Sequence, residues 1–301
     1  MTHKIKKGDG RHIQSERLVG AHCSIAGGLY EAAKRGAEVG CNAIQIFTKN
    51  SNQWDSAPLI ETEISKFQSA CAKHSIKLAF AHAGYLINLA SPDEVIYKRS
   101  IDSMLVELER AEKLEFPYVV VHPGSHKGIG EAVGVQKVAA SIKYLNERTE
   151  GFRTRIVLET TAGQGHSIGY DFKHFRDIFA ILKDVDLKRV GVCIDTAHIF
   201  TAGYELNDRE SYSKTMAAFD KYVGLEKLRV IHLNGTSKAL GSRVDSHDHL
   251  DTGEIKTVAF KLLLNDHRLF SIPVIIETPK GSTIENDRRN IKLIRKFMEG
   301  I

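Results

Sequence analysis

Short, almost wholly aliphatic runs recur along this chain, and most of them stop on a residue able to bind a metal ion. They read LVGAH to His22, AIQIF to Phe47, KLAFAH to His82 and YVVVH to His122. RIVLE to Glu159, VGVCID to Asp195, LRVIHL around His232 and PVIIE to Glu277 follow. From the third run to the seventh the ends lie 40, 37, 36 and 37 residues apart. A continuous apolar run, in place of one alternating with polar residues, belongs to a parallel strand covered on both faces. Helices are expected over 31–39, 58–74, 92–114, 131–147, 172–182 and 208–223. In 92–114, Val95, Ile96, Ile101, Leu105, Leu108 and Leu114 fall roughly at helical spacing, and Ser91 before Pro92 predicts an N-cap with proline at the first helical position.

Eight strand–helix units in 301 residues match the count and size of an α/β fold of the (β/α)8 (TIM) barrel kind, here as a single domain. A doubly wound open sheet is the competing fold. It would carry a glycine-rich turn after its first strand, and GAHCSIAGG is not GxGxxG. Nothing in composition divides 18–301, the expected barrel. Residues 1–17, with Lys4, Lys6, Lys7, Arg11 and Arg17, are expected to form a mobile basic arm.

Composition narrows the class further. With 42% hydrophobic and 26% charged residues the chain is not a disordered one. No apolar run approaches the roughly 18 residues of a membrane span, so a soluble protein without a membrane partner is expected. MTHKIKKGDGRHIQSER has no apolar stretch of the kind a secretory signal needs. Cys23, Cys41, Cys71 and Cys193 form no CxxC, which fits a reduced, intracellular setting. The net charge of +5 suits a polyanionic partner without requiring one.

The strand ends carry the chemistry. Catalytic groups of such barrels project from the C-terminal ends of the strands. Here those ends hold His82, His122, Glu159, Asp195, His232 and Glu277, and adjoining loops add His198, Asp245 and His247. A single strand-end histidine is more often structural than a ligand. A carboxylate ending an aliphatic run is different, because it needs a cation nearby and no lysine or arginine ends any of the eight runs. Five imidazoles and four carboxylates exceed what one tetrahedral zinc uses and suit two or three ions. Nitrogen and oxygen donors without thiolate favour zinc, with manganese or iron as alternatives.

GAHCSIAGGLYEAA, FTKN, HAGYLINLASPD, HPGSHKG, LETTAGQG, GVCIDTAHIFTAGYE and HLNGTSKALGSRVDSHDHLDTG together resemble the endonuclease IV family, from about Leu18 to the end of the chain. The resemblance implies a barrel with three zinc ions on its rim, acting on double-stranded DNA. It implies hydrolysis of the phosphodiester 5′ to an abasic site, leaving a 3′-hydroxyl and a 5′-deoxyribose phosphate, and removal of blocking groups from 3′ ends as a phosphodiesterase and phosphatase. Carried over residue by residue, one ion would be held by His82, His122 and Glu159, and a second by Glu159, Asp195, His232 and Glu277. The third would be held by His198, Asp245 and His247, with His247 preferred to His249 two residues on. Glu159 and Glu277 are carried as catalytic as well as ligating, for orienting the attacking water. Tyr85 occupies the position of the family's tyrosine that enters the duplex, and Lys49 and Asn52 lie in the neighbouring DNA-facing loop. His22 and His126 are expected as phosphate contacts or as groups orienting ligands. Trp54 is open between barrel packing and DNA contact. A monomer is expected, since one barrel holds the whole set.

The chain departs from the family pattern at several points. Asn52, preceded by Ser51, stands where the family usually has arginine, which implies a weaker wedge and an altered lesion preference. HLND reads HLNG at Gly235, the arginine of D-R-H is Ser246, and a glycine after H-x-x-[IL] is Asp251. None removes an expected ligand. A sugar isomerase or epimerase of the xylose-isomerase-like class would also use Glu159, Asp195, His232 and Glu277. It would have no use for the other five. A barrel that binds nucleic acid without cleaving it would show decay among the nine, and all nine are present.

Overall fold

The structure, a computed structural model, describes residues 16–281 and 283–299, so most of the expected basic arm lies outside the described residues. Eight parallel strands close into a barrel in sequence order: β1 (Val19–His22), β2 (Ala43–Phe47), β3 (Leu78–His82), β4 (Tyr118–Val121), β5 (Arg155–Glu159), β6 (Val190–Asp195), β7 (Leu228–His232) and β8 (Val274–Ile276). The helices are α1 (Leu29–Glu38), α2 (Glu61–Lys73), α3 (Glu94–Lys113), α4 (Glu131–Arg148), α5 (Phe172–Ile181), α6 (Asp184–Leu187), α7 (Thr196–Ala202), α8 (Arg209–Tyr222), α9 (Thr257–Leu264) and α10 (Glu285–Met298). None is long and apolar enough to cross a membrane.

The pleat explains where the chemistry ends up. Ala43, Phe80, Val120, Val157, Cys193, Val230 and Ile275 form one buried layer across the barrel interior. Their strand neighbours, such as Ile44, Val119, Ile156, Ile194 and Ile276, point outward into the larger core beneath the helices. Side chains alternate faces along a strand, so the residue two places beyond an inward one is inward too. Phe80, Val120, Val157, Cys193, Val230 and Ile275 are each followed two residues on by His82, His122, Glu159, Asp195, His232 and Glu277. The apolar layer therefore plugs the barrel directly below a polar layer.

Three expectations change. Asp93, not Ser91, caps α3: its carboxylate accepts from the backbone N–H groups of Val95 and Ile96 at 2.9 and 3.0 Å. Pro92 thus precedes the helix and does not open it. His198, expected in a loop, sits in the first turn of α7, whose N-cap is Asp195; the Asp195 carboxylate accepts from the His198 N–H at 2.9 Å. Arg17, counted with the arm, is buried, and its guanidinium donates to the carbonyls of Leu264 and Leu269.

Candidate functional site

Glu159 is fully buried at the end of β5, and its two oxygens face different neighbours. Oε2 lies 3.0 Å from His82 Nε2 and 3.1 Å from His122 Nε2. Oε1 lies 2.9 Å from His232 Nδ1 and 3.4 Å from His198 Nδ1. Three groups of donor atoms, each within 4.8 Å of one another, result: His82, His122 and Glu159; Glu159, Asp195, His232 and Glu277; and Asp195, His198 and His247. Asp245 adjoins the last, with its Oδ1 3.1 Å from His198 Nε2 and 3.9 Å from His247 Nε2. His22, Tyr85, Ser246 and Lys280 join all of these but the fully buried Glu159, Asp195 and His232 around an open cavity of about 560 Å³.

Four of the five histidines, His82, His198, His232 and His247, are held by one ring nitrogen and aimed with the other. His82 Nδ1 lies 2.8 Å from the Ala83 carbonyl, His198 Nδ1 2.8 Å from the Thr160 carbonyl and His247 Nδ1 3.4 Å from the Glu277 carbonyl. His232 is held instead at Nε2, 2.8 Å from Gln45 Oε1. Metal-ligating histidines show this pattern, because the outer hydrogen bond sets ring orientation and basicity.

Charge makes the same point. Among the described residues no lysine or arginine pairs with Glu159, Asp195 or Glu277; their charged neighbours are imidazoles. Against the penalty of burial, His232 and His122 hold Glu159 well below the usual carboxylate range, and His232 and His22 do the same for Glu277. Burial likewise opposes the charge on His198, yet Asp195 and Asp245 lift it well above an ordinary imidazole. Against burial, the hydrogen bond from His198 together with the charges of His198, His122 and His247 brings Asp245 down to about 2. Clustered carboxylates that draw protons onto imidazoles are a donor set that exchanges those protons for divalent cations. The residues present fit metal ions.

Two residues that sequence reasoning passed over hold this layer together. Gln45, fully buried on β2, donates to Glu277 Oε1 at 2.6 Å, lies 3.0 Å from His22 Nδ1 and accepts from His232. Asn234, just past β7, donates to Asp195 Oδ2 at 2.6 Å and accepts from the Glu277 N–H at 2.7 Å. An amide inside the otherwise aliphatic AIQIF was the available signal, because a buried amide needs partners.

The residues expected to meet DNA separate into two groups. Tyr85 is 67% exposed at the rim, its ring edge-on to Phe47 at 5.2 Å. Asn52 is exposed in the neighbouring loop, and His22 is half-buried in the cavity wall. Lys49, in contrast, is 5% exposed; it donates to the Gln53 carbonyl and faces Glu107 at 3.6 Å, so its ammonium is turned inward. His126 is also buried, with Nδ1 accepting from the N–H groups of Gly128 and Gly130. Trp54 is half-buried, and its carbonyl accepts from Ser103. His249 turns away from the centre to Asn290, 3.0 Å off.

A family described as xylose isomerase-like TIM barrel matches residues 33–299. The probable endonuclease 4 of Chloroflexus aggregans is 46% identical over 279 residues, 93% of this chain and 97% of that protein. The crystal structure of endonuclease IV from Thermus thermophilus matches with a TM-score of 0.82 at 33% identity, over 94% of this chain and 99% of that one. A D-tagatose 3-epimerase-like protein matches with a TM-score of 0.71 but at 18% identity, over 94% and 97%, a likeness of fold alone.

Proposed function

The chain belongs to the endonuclease IV family, and on that premise we propose that it repairs DNA by hydrolysing the phosphodiester 5′ to abasic sites. The products are a 3′-hydroxyl and a 5′-deoxyribose phosphate, and the same centre clears blocked 3′ ends, which present the same phosphate chemistry. The observation carrying this reading is the convergence of five imidazoles and four carboxylates on one rim, with an exposed tyrosine beside them. A sugar epimerase needs only Glu159, Asp195, His232 and Glu277 and leaves the remaining five donors unexplained.

Three zinc ions fit this donor set, with manganese as the alternative, because all the donors are nitrogen or oxygen. His82, His122 and Glu159 would hold one; Glu159, Asp195, His232 and Glu277 a second; His198, Asp245 and His247 the third. Such ions supply an activated water at neutral pH and offset charge on the phosphate and on the departing 3′ oxygen. Glu159 and Glu277 orient the water, while Gln45 and Asn234 keep Glu277, Asp195 and His232 in place. Tyr85, backed by Phe47, enters the duplex, where the missing base makes extrusion of the sugar cheap. His22 and Asn52 lie beside the path of the strand. One barrel supplies every one of these groups, so the chain acts as a monomer.

The test is incision of a duplex carrying one abasic analogue, with and without chelator, alongside elemental analysis. Chelator-sensitive cleavage 5′ to the analogue with about three zinc ions per chain is expected. Full metal loading without cleavage would overturn the abasic assignment, and a single ion with turnover of a ketose would favour the epimerase.

A further inference from the structure

Outside the metal centre, α3 carries a fully buried carboxylate with no part in the chemistry above. Glu107 Oε2 accepts from the Thr48 hydroxyl at 2.7 Å, and Oε1 faces Lys49 Nζ at 3.6 Å and the Gly84 N–H at 3.4 Å. Arg110, three residues on, donates to the Thr48 carbonyl at 2.5 Å, the Thr48 hydroxyl at 3.2 Å and the Ala57 carbonyl at 2.7 Å. Lys49 spans its own loop to the Gln53 carbonyl. The two loops also meet directly: the Tyr85 N–H donates to the Ser51 carbonyl at 3.1 Å, and a Cβ on Gly84 would lie 2.9 Å from that oxygen.

We propose that Glu107 and Arg110 are positioning residues for DNA binding, which hold the 48–57 loop bearing Asn52 and the turn bearing Tyr85 in one fixed arrangement. The inference rests on the abasic-endonuclease reading. Stability alone does not account for the cluster, because apolar replacement of a buried ion pair is often neutral or stabilising. What the charges add is direction. Glu107 reaches both loops from one helix, and Arg110 ties the two ends of the longer loop to the same turn. Exposed Tyr85 makes few contacts of its own, so its place in front of the metal centre is inherited from this hub.

The test uses the metal-loaded full chain and the variants E107Q and T48V. Steady-state cleavage of a duplex with one abasic analogue, metal content, and amide hydrogen exchange over 48–57 and 84–88 are measured on the same samples. Loosened loops are expected to raise KM roughly tenfold or more while kcat stays within about threefold. Metal content should equal wild type, and exchange should quicken in both loops. Unchanged KM overturns the proposal, as does a fall in kcat that follows loss of metal. If E107Q does not fold, the isosteric T48V carries the same expectations. If the wild-type chain leaves abasic duplex intact, the functional reading fails instead; exchange then decides the hub, and unchanged protection in T48V overturns it.

Discussion

At the scale of single residues, Glu159 is the point on which the centre turns. One oxygen faces His82 and His122 and the other His232 and His198, so its removal opens two donor groups at once. Glu159→Ala should lower kcat for abasic incision on the order of 10³-fold or more. Elemental analysis should show fewer ions per chain; near-normal kcat would contradict the assignment. Tyr85 is the opposite case, exposed and with no side-chain hydrogen bond to the donor residues among the described contacts. Tyr85→Ala should cost about 1–3 kcal/mol in binding abasic duplex, the range of an aromatic stacking contact. Titration at fixed salt measures this, and metal content should not change. Loss of metal in that variant would mean that Tyr85 shapes the centre and not the DNA path. Lys49 marks the limit of reasoning by residue type. A lysine in a rim loop reads as a phosphate contact, yet Glu107, 58 positions away in sequence, turns it inward.

At the scale of elements, the segment after β7 carries the sharpest constraint. Gly235 pairs with Asp248 across an antiparallel bridge, and a Cβ on Gly235 would collide with the His249 carbonyl oxygen. The irregular segment beside it contains Asp245 and His247, and Arg289 on α10 contacts it further on through Asp251. The Leu250 N–H also donates to the buried Asn290 Oδ1 at 3.1 Å, which ties the segment to α10. Gly235→Asp should therefore push Asp245 and His247 out of place and cost about 1–3 kcal/mol, the usual range for overpacking. Metal analysis after mild chelation should find about one ion fewer per chain. Retention of the full complement would show that the segment can shift without moving His247. The departures at Gly235 and Asp251 thus form one local arrangement in which a glycine admits a close backbone and an ion pair holds it there.

At the scale of the whole molecule, closure of the barrel and its cover of helices decide what solvent reaches. Cys23, Cys41 and Cys193 are buried and Cys71 half-buried, and all four are free. Burial pushes the Cys23 and Cys193 thiols up to about 12 and Cys71 up to about 11, and raises Cys41 as well. A raised thiol pKa keeps the sulfur protonated until the pH approaches that value, and only the thiolate reacts. At pH 8 a disulfide reagent should thus label at most one thiol per native chain, Cys71, and all four after denaturation. Rapid labelling of three or four in the native state would contradict the closed core.

The sequence by itself determined the barrel and the six polar residues that end its strands, and for one reason. Runs covered on both faces must be aliphatic throughout, so a histidine or carboxylate at the end of such a run stands out. The period of two then turns all six strand-end donors inward together. His198, Asp245 and His247 were legible by a weaker route, their spacing and the family resemblance. The tertiary structure alone decided how the donors are held and which loops face solvent. Gln45 meets Glu277 and His232 only because closure of the barrel pairs β1 with β8, which brings β8 and β7 round to the side of β2. Lys49 is buried only because α3 brings Glu107 beneath the loop. Contacts between residues far apart in sequence depend on barrel closure and helix packing, and no local pattern of side chains encodes them.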